Sequence, residues 1–410
     1  MSDKASALDG IDRYFEGGDF IADLARRVAI RTESPEPDKR PELYRYLREE
    51  MTPYLEDFGF NCDIYENPIE GLMPFLVARR HEGDDLPTVM TYGHGDVVRG
   101  YDDQWREGLT PWEITVEGDR WYGRGTADNK AQHTINLAAM KQVLKTRGKL
   151  GFNVIALIET GEESGSPGLK KFCEVHKDLF ADCDVFIASD GPRLAPDRPT
   201  VFMGSRGVFN FTMSLECRDG GHHSGNWGGL LSNPGVIMAH ALATITDAKG
   251  RILVEEWRPE PMSNSVRKAI SRLKVGGGDD APEIDTDWGE PGLTPEEKVF
   301  GSNTFEIRAF ECGNPRNPVN AIPPRAVAYG HIRYVVGTDP HNFLPALRTH
   351  LDAHGFNDIK LEAERDYMYA TRLDPDHPWA QWAIGSIGAT SGQEVAVPRW
   401  RVPSPARTGA

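Results

Sequence analysis

The sequence predicts an α/β protein: a mostly parallel sheet with helices on both faces, interrupted by a second, α+β domain. Three observations lead there. Strand-like apolar runs alternate with amphipathic helical stretches through the first part of the chain, and that alternation gives a parallel sheet covered on both sides. A histidine and several acids stand directly after three of those runs. The texture changes after about residue 205, and 410 residues exceed what one hydrophobic core ordinarily covers.

Residues 7–30 carry apolar positions at helical spacing: Leu8, Ile11, Tyr14 and Phe15, then Phe20, Ile21, Leu24 and Val28. Gly17-Gly18 divides them into two short helices. A third amphipathic helix spans 41–58. Strands follow at 61–66, 74–80 and 87–92, then a helix over 129–146, a strand over 152–159, a helix over 167–178 and a strand over 184–188. Further on, strand-like stretches at 200–217 and 325–336 accompany helices at 234–247 and 340–354. The Gly/Pro-rich stretch Gly276 to Pro295 reads as a long loop. Residues 206–365 are therefore expected to form an inserted domain, with 1–205 and 366–410 as the first. Asp376-His377-Pro-Trp opens a last helix to about 389.

Asp and Glu outnumber Lys and Arg by 62 to 46, giving a net charge of −16. No basic block is long enough to track a phosphate backbone, which argues against nucleic acid as a partner. The N-terminal MSDKASALDGIDRYFEGG lacks the apolar core of a signal peptide, and no apolar run approaches the roughly 20 residues that span a bilayer. A cytoplasmic protein without membrane contact is expected. Cys62, Cys173, Cys183, Cys217 and Cys312 form no C-x-x-C pair, so buried free thiols are expected rather than disulfides or thiolate metal ligands.

The acids after the strands outline a metal site. Imidazole nitrogen and carboxylate oxygen hold dications such as zinc, and catalytic sites gather them from distant points in the chain. In open α/β sheets ligands bind at the carboxyl ends of strands, where His94, Glu162-Glu163 and Asp190 all fall. His94 and Asp96, two apart, leave the same face, so one can ligate while the other orients it. Of the Glu162-Glu163 pair, one carboxylate can bind metal while its neighbour moves a proton. Each residue also has an ordinary explanation: a hydrogen-bonded His94, an N-cap at Asp128, solvated acids at 162–163, a turn acid at Asp190. All of these holding together at three strand ends is the less economical account.

The segments GHGDVV, YGRGTADNKAQH, ETGEESGSPGL, IASDGPR, GGHHSGNWGG and NPVNAIPPRA, in this order, resemble the dinuclear-zinc metallopeptidases that include aminoacylase, carnosinase, glutamate carboxypeptidase and succinyl-diaminopimelate desuccinylase (peptidase clan MH). The resemblance covers most of residues 10–395. It implies that His94 and Asp190 bind one zinc, Glu163 the other, and Asp128 bridges them, with cobalt or manganese as alternatives. It makes Asp96 the partner behind His94, Glu162 the general base, and the Asp128-Asn129 peptide cis. Residues 206–365 become a lid and homodimerisation domain. There His223, with His222 as fallback, reaches a neighbouring subunit's site to steady an oxyanion, while Asn320 and Arg333 hold substrate. Arg333 suits a carboxylate because its planar fork can bind both oxygens, although a surface strand arginine is the plain alternative. The implied reaction is hydrolysis of a dipeptide-like amide. An N-acyl-amino-acid deacylase or desuccinylase is the second enzyme reading, and a catalytically dead dimerising or ligand-binding homologue the reading from another class.

One ligand departs from the family pattern, which supplies a second-zinc histidine after a Gly-Gly-Ser-type loop near the C-terminus. The last histidine here, His377, reads as a helix entrance. The second metal would keep only Glu163 and Asp128, one short of the three protein ligands typical of catalytic zinc. The residues from Pro398 onward are basic and apolar without period, so a truncating frameshift is expected. Codons CGG TGG CGG GTC CCT TCC CCN for Arg399 to Pro405, offset by one base, would read Gly-Gly-Gly-Ser-Leu-Pro.

Overall fold

The computed structural model describes residues 3–191, 198–262, 264–271, 275, 282–364, 368–374 and 376–397. Residues 399–405, on which the frameshift expectation rests, lie outside them, as does part of the expected 276–295 loop. The chain divides into two compact units, Met1–Asp190 and Gly191–Ala410.

The first unit contains helices α1 (Asp3–Glu16), α2 (Asp19–Ala29), α3 (Arg40–Arg45), α4 (Thr52–Glu56), α5 (Lys130–Arg147) and α6 (Leu169–Val175). Its strands are β1 (Asn61–Tyr65), β2 (Phe75–Arg80), β3 (Thr88–His94), β4 (Thr115–Glu117), β5 (Arg120–Tyr122), β6 (Asn153–Glu159) and β7 (Val185–Ala188). The main sheet has the order β1-β2-β6-β3-β7. β1, β6, β3 and β7 run in one direction and β2 runs against them between β1 and β6, so the sheet is mixed. The connection from Tyr65 to Phe75 holds no crossover helix and can only turn the chain back.

Alternate side chains go to opposite faces, and both faces are covered. Leu76, Ala78, Val154, Ala156 and Ile158 pack on Tyr46, Leu47, Met51, Leu55 and Leu137. Phe75, Val77, Ile155 and Leu157 pack on Phe172 of α6. β6 is buried at every position, which is why its sequence reads as one continuous apolar run. The expected 41–58 helix is α3, a π-helical turn at Tyr46–Met51, and α4. Pro53 lacks the N–H that an α-helix would direct at residue 49, and the widened turn accommodates that loss.

The second unit contains β8 (Gly204–Ser205), β9 (Gly207–Glu216), β10 (His222–His223), β11 (Thr304–Cys312), β12 (Ala321–Ile322), β13 (Arg325–Tyr334), β14 (Lys360–Ala363) and β15 (Thr371–Arg372). Its helices are α7 (Ser224–Trp227), α8 (Pro234–Ile245), α9 (Asn264–Ile270), α10 (Pro295–Gly301), α11 (Phe343–Ala353) and α12 (Pro378–Ser391). An antiparallel sheet in the order β11-β13-β9-β14 buries Phe209, Phe211, Met213, Ala328 and Ile332 against Met238, Leu242, Phe343 and Leu347. β9 and β13 alternate buried and less buried positions, as a sheet with one packed face requires. The five cysteines are free and partly buried. Among the described residues no helix is long and apolar enough to cross a membrane.

Candidate metal centre

Three parallel strands deliver the site. β3 ends at His94; β6 ends at Glu159, from which a short 3-10 turn carries Glu162 and Glu163; Asp190 follows β7 two residues on. Asp128 comes from the loop that opens α5, and the Asp128-Asn129 peptide is cis. Asn129, not Asp128, is the N-cap residue of α5, and its side chain makes no cap hydrogen bond. Close approach of α5 and the π-turn to the end of β3 requires glycine beside His94. A Cβ at Gly93 would lie 2.6 Å from Cβ of His133, and one at Gly95 would lie 2.4 Å from the Tyr46 ring.

Donor atoms of His94, Asp128 and Asp190 all lie within 4.8 Å of one another. His94 Nε2 is 2.9 Å from Asp128 Oδ1 and 3.9 Å from Glu162 Oε2. On its other side, His94 Nδ1 donates to the Asp96 carbonyl at 3.1 Å and lies 3.4 Å from Asp96 Oδ1. Asp96 is fully buried, and its carboxylate accepts the Glu162 and Glu163 N–H groups at 3.2 and 3.1 Å. One side chain therefore orients both the imidazole and the acid pair. Glu163 stands outside the group of three but within electrostatic reach of Asp128, His94 and Asp96.

The charges fit a cation. Burial, and then the charge of Asp128, push Glu163 up to about 7. Burial raises Glu162 too, with Asp190, Asp96 and Asp128 adding to it against the pull of His94. Burial works against charge on His94, yet hydrogen bonds to Asp128 and Asp96 outweigh it and raise the imidazole to about 11. Carboxylates crowded until they resist ionisation, around one imidazole held as a cation, are a donor set short of positive charge. Nitrogen and carboxylate oxygen suit zinc, cobalt or manganese.

A buried chain behind the site was not expected from the sequence. The Tyr46 hydroxyl donates to His133 Nε2 at 2.6 Å, and His133 Nδ1 donates to Asn129 Oδ1 at 3.2 Å. That oxygen also accepts the His94 N–H at 3.3 Å, while Asn129 Nδ2 donates to Asp190 Oδ1 at 3.3 Å. Burial and the nearby cationic groups hold the His133 imidazole neutral, as this relay requires. The only sequence signal was the place of Asn129 and His133 within the YGRGTADNKAQH segment.

The remaining expected residues lie in the second unit. His223 caps α7, its Nδ1 accepting the Gly225 N–H at 3.1 Å. The Asn320 carbonyl accepts from the backbone N–H and the hydroxyl of Ser224, leaving the side chain exposed. Arg333 is half-buried on β13, with burial lowering its pKa, and makes no ion pair among the described residues. His377 caps α12 by accepting the Trp379 N–H, which makes it the expected helix entrance.

Fold and donor set together define a candidate metal-binding α/β protein. The chain belongs to peptidase family M20/M25/M40, whose family model matches residues 90–408. It is 30% identical over 249 residues to Beta-Ala-His dipeptidase of Rattus norvegicus, covering 58% of this chain and 50% of that protein. It is 28% identical over 297 residues to Cysteinylglycine-S-conjugate dipeptidase of Corynebacterium striatum, covering 69% of this chain and 61% of the relative. The chain thus spans about half to three-fifths of the length of these relatives. Its fold matches the solved structure of the dipeptidase Dug1p from Saccharomyces cerevisiae with a TM-score of 0.74 at 20% identity, over 98% of this chain and 88% of the other.

Proposed function

We propose that the chain is a metal-dependent dipeptidase, hydrolysing the amide bond of small carboxylate-bearing peptides. The convergence of His94, Asp128 and Asp190 within 4.8 Å, with Glu162 beside them, carries this reading, and the dipeptidase names of the relatives direct it to dipeptides. His94, Asp128 and Asp190 would hold one zinc, while Glu163 with Asp128 would offer a second ion only two protein ligands, one short of a catalytic zinc. Dications bound there supply Lewis-acid polarisation of the scissile carbonyl and a lowered pKa for water.

Glu162 takes a proton as water attacks the carbonyl carbon. The C–N bond then breaks, and Glu162 returns the proton to the leaving amine, so each turnover consumes one water and releases one acid and one amine. A carboxyl whose pKa burial already raises is suited to both halves of that cycle. His223 steadies the oxyanion from a neighbouring subunit of a homodimer. Because its Nδ1 accepts from Gly225, its Nε2 carries the proton and is a donor, which is the form that role needs. Asn320 and Arg333 hold the substrate, Arg333 by its carboxylate. Residues 1–205 and 366–410 form the catalytic domain and 206–365 the lid and dimerisation domain of a cytoplasmic enzyme.

A panel of β-Ala-His, Cys-Gly and other dipeptides, run with N-acetyl and N-succinyl amino acids in added zinc, tests this reading. Turnover of dipeptides is expected. Turnover of the acyl amino acids alone would replace the substrate class, and metal binding without turnover of any substrate would make the chain a ligand-binding homologue.

A further inference from the structure

Glu159 has no part in the chemistry above, yet it is 1% exposed at the end of the central strand. It pairs in register with His94 on the parallel strand β3, and its carbonyl accepts the Gly95 N–H at 2.8 Å. Its carboxylate is used on one side only. Oε1 accepts from the Tyr92 hydroxyl at 2.5 Å and from Ser166 Oγ at 3.0 Å, whereas Oε2 is buried with no hydrogen-bond partner among the described residues.

The two partners come from different elements. Tyr92 belongs to the strand that ends at His94; Ser166 closes the turn that carries Glu162 and Glu163. That turn folds back on Gly161, whose carbonyl accepts from Ser164 N at 3.2 Å and Ser166 N at 2.9 Å, and Gly165 N donates to the Glu162 carbonyl at 2.7 Å. Ser166 adopts φ +50°, the left-handed region that a non-glycine residue enters only when its surroundings hold it there. The Ser166 Oγ bond to Glu159 is a contact that can hold it. The carboxylate thus links the last residue of the turn to the two strands that present it.

We propose that Glu159 is a positioning residue. Through Oε1, bridging Tyr92 and Ser166, it fixes the 161–166 turn so that the Glu162 and Glu163 N–H groups meet Asp96 and their carboxylates face His94 and Asp128. A buried carboxyl satisfied through one oxygen only is costly to keep, and the two hydrogen bonds at Oε1 offset that cost. The catalytic part of this inference rests on the roles given to Glu162 and Glu163; the geometric part does not.

The test compares Ser166→Ala, Glu159→Ala and the double variant with Glu159→Gln in the full chain. Gln keeps the Oε1 acceptor and places its NH2 where Oε2 has no partner. Three readouts are taken: hydrogen exchange of the 160–168 backbone, Co2+ affinity, and the division of any activity change between kcat and KM. Ser166→Ala and Glu159→Ala should each speed exchange in 160–168 by about tenfold relative to the rest of the first unit. Each should also weaken Co2+ binding by about tenfold, the low end for a group that orients a ligand, with the double variant no worse than either. The kcat should fall with KM nearly constant, and Glu159→Gln should recover most of the loss. If Glu159→Ala fails to fold, Ser166→Ala against Glu159→Gln makes the same comparison. Unchanged exchange and Co2+ affinity in Ser166→Ala would overturn the proposal. A wild-type chain that turns over no dipeptide would sink the dipeptidase reading alone, and exchange with Co2+ affinity would still decide the role of Glu159.

Discussion

Removing the Asp96 carboxylate should loosen the site even when no metal is present. The fully buried side chain accepts the Glu162 and Glu163 N–H groups and backs the His94 ring. Hydrogen bonds to a charged acceptor contribute about 1.5–3 kcal/mol each, so the two amides suggest about 3 kcal/mol at the lower figure. Against that, Asp96 repels the nearby acids and raises Glu159, Glu162 and Glu163, and losing it relieves part of that repulsion. The net expectation for Asp96→Ala is a destabilisation of about 2 kcal/mol, which in a unit of this size lowers its melting transition by about 4–8 °C. Asp96→Asn keeps one acceptor oxygen but turns an NH2 group toward the other amide, and should fall between. Scanning calorimetry in chelator measures this. A shift below about 1 °C for Asp96→Ala would refute the idea that this carboxylate organises the turn.

Glu162→Gln should reduce kcat by about 10²–10⁴-fold with metal content unchanged, as measured by turnover and mass spectrometry on the same sample. Loss of metal would instead make Glu162 a ligand. Asn129→Ala removes the amide that joins His94, His133 and Asp190, and should weaken Co2+ binding by about 10–100-fold in a spectroscopic titration. In the second unit, burial and then Arg333, Arg308 and Arg206 depress His331 to about 4, below its unfolded value of about 6.5. Between those values the unfolded chain binds a proton that the folded chain does not, so this contribution to stability is whole above pH 6.5 and is lost as pH falls toward 4. Discounted for a half-exposed group, about 1 kcal/mol should disappear over that range. Urea unfolding against pH should show it, and an equal pH dependence in His331→Gln would contradict it.

The strand ends were legible because β3, β6 and β7 are apolar runs that stop abruptly at polar residues, and a parallel arrangement then puts those stops at one edge. β11 gave no such signal. Most of its residues are exposed, and a register shift between Ile307 and Ala309 breaks the period-2 pattern. The antiparallel joining of β1 and β2 depends on what a short connection permits, which strand-helix alternation does not reveal. At the site, the residue types that bind metal could be read directly. Of the groups that hold them, Asp96 was legible two positions from His94, whereas Tyr46, Asn129, His133 and Glu159 were not, because Tyr46 and His133 are 87 positions apart and none of the four carries a periodicity that separates support from core.

Metal content by mass spectrometry on the wild-type chain and on His94→Ala, each with β-Ala-His hydrolysis before and after zinc is added back to chelated protein, tests whether His94 holds a dication that hydrolysis needs. At least one tightly held dication per wild-type chain is expected, with its loss in His94→Ala and hydrolysis that disappears with chelation and returns with zinc. Equal metal content in the two chains, or hydrolysis indifferent to chelation, would contradict it.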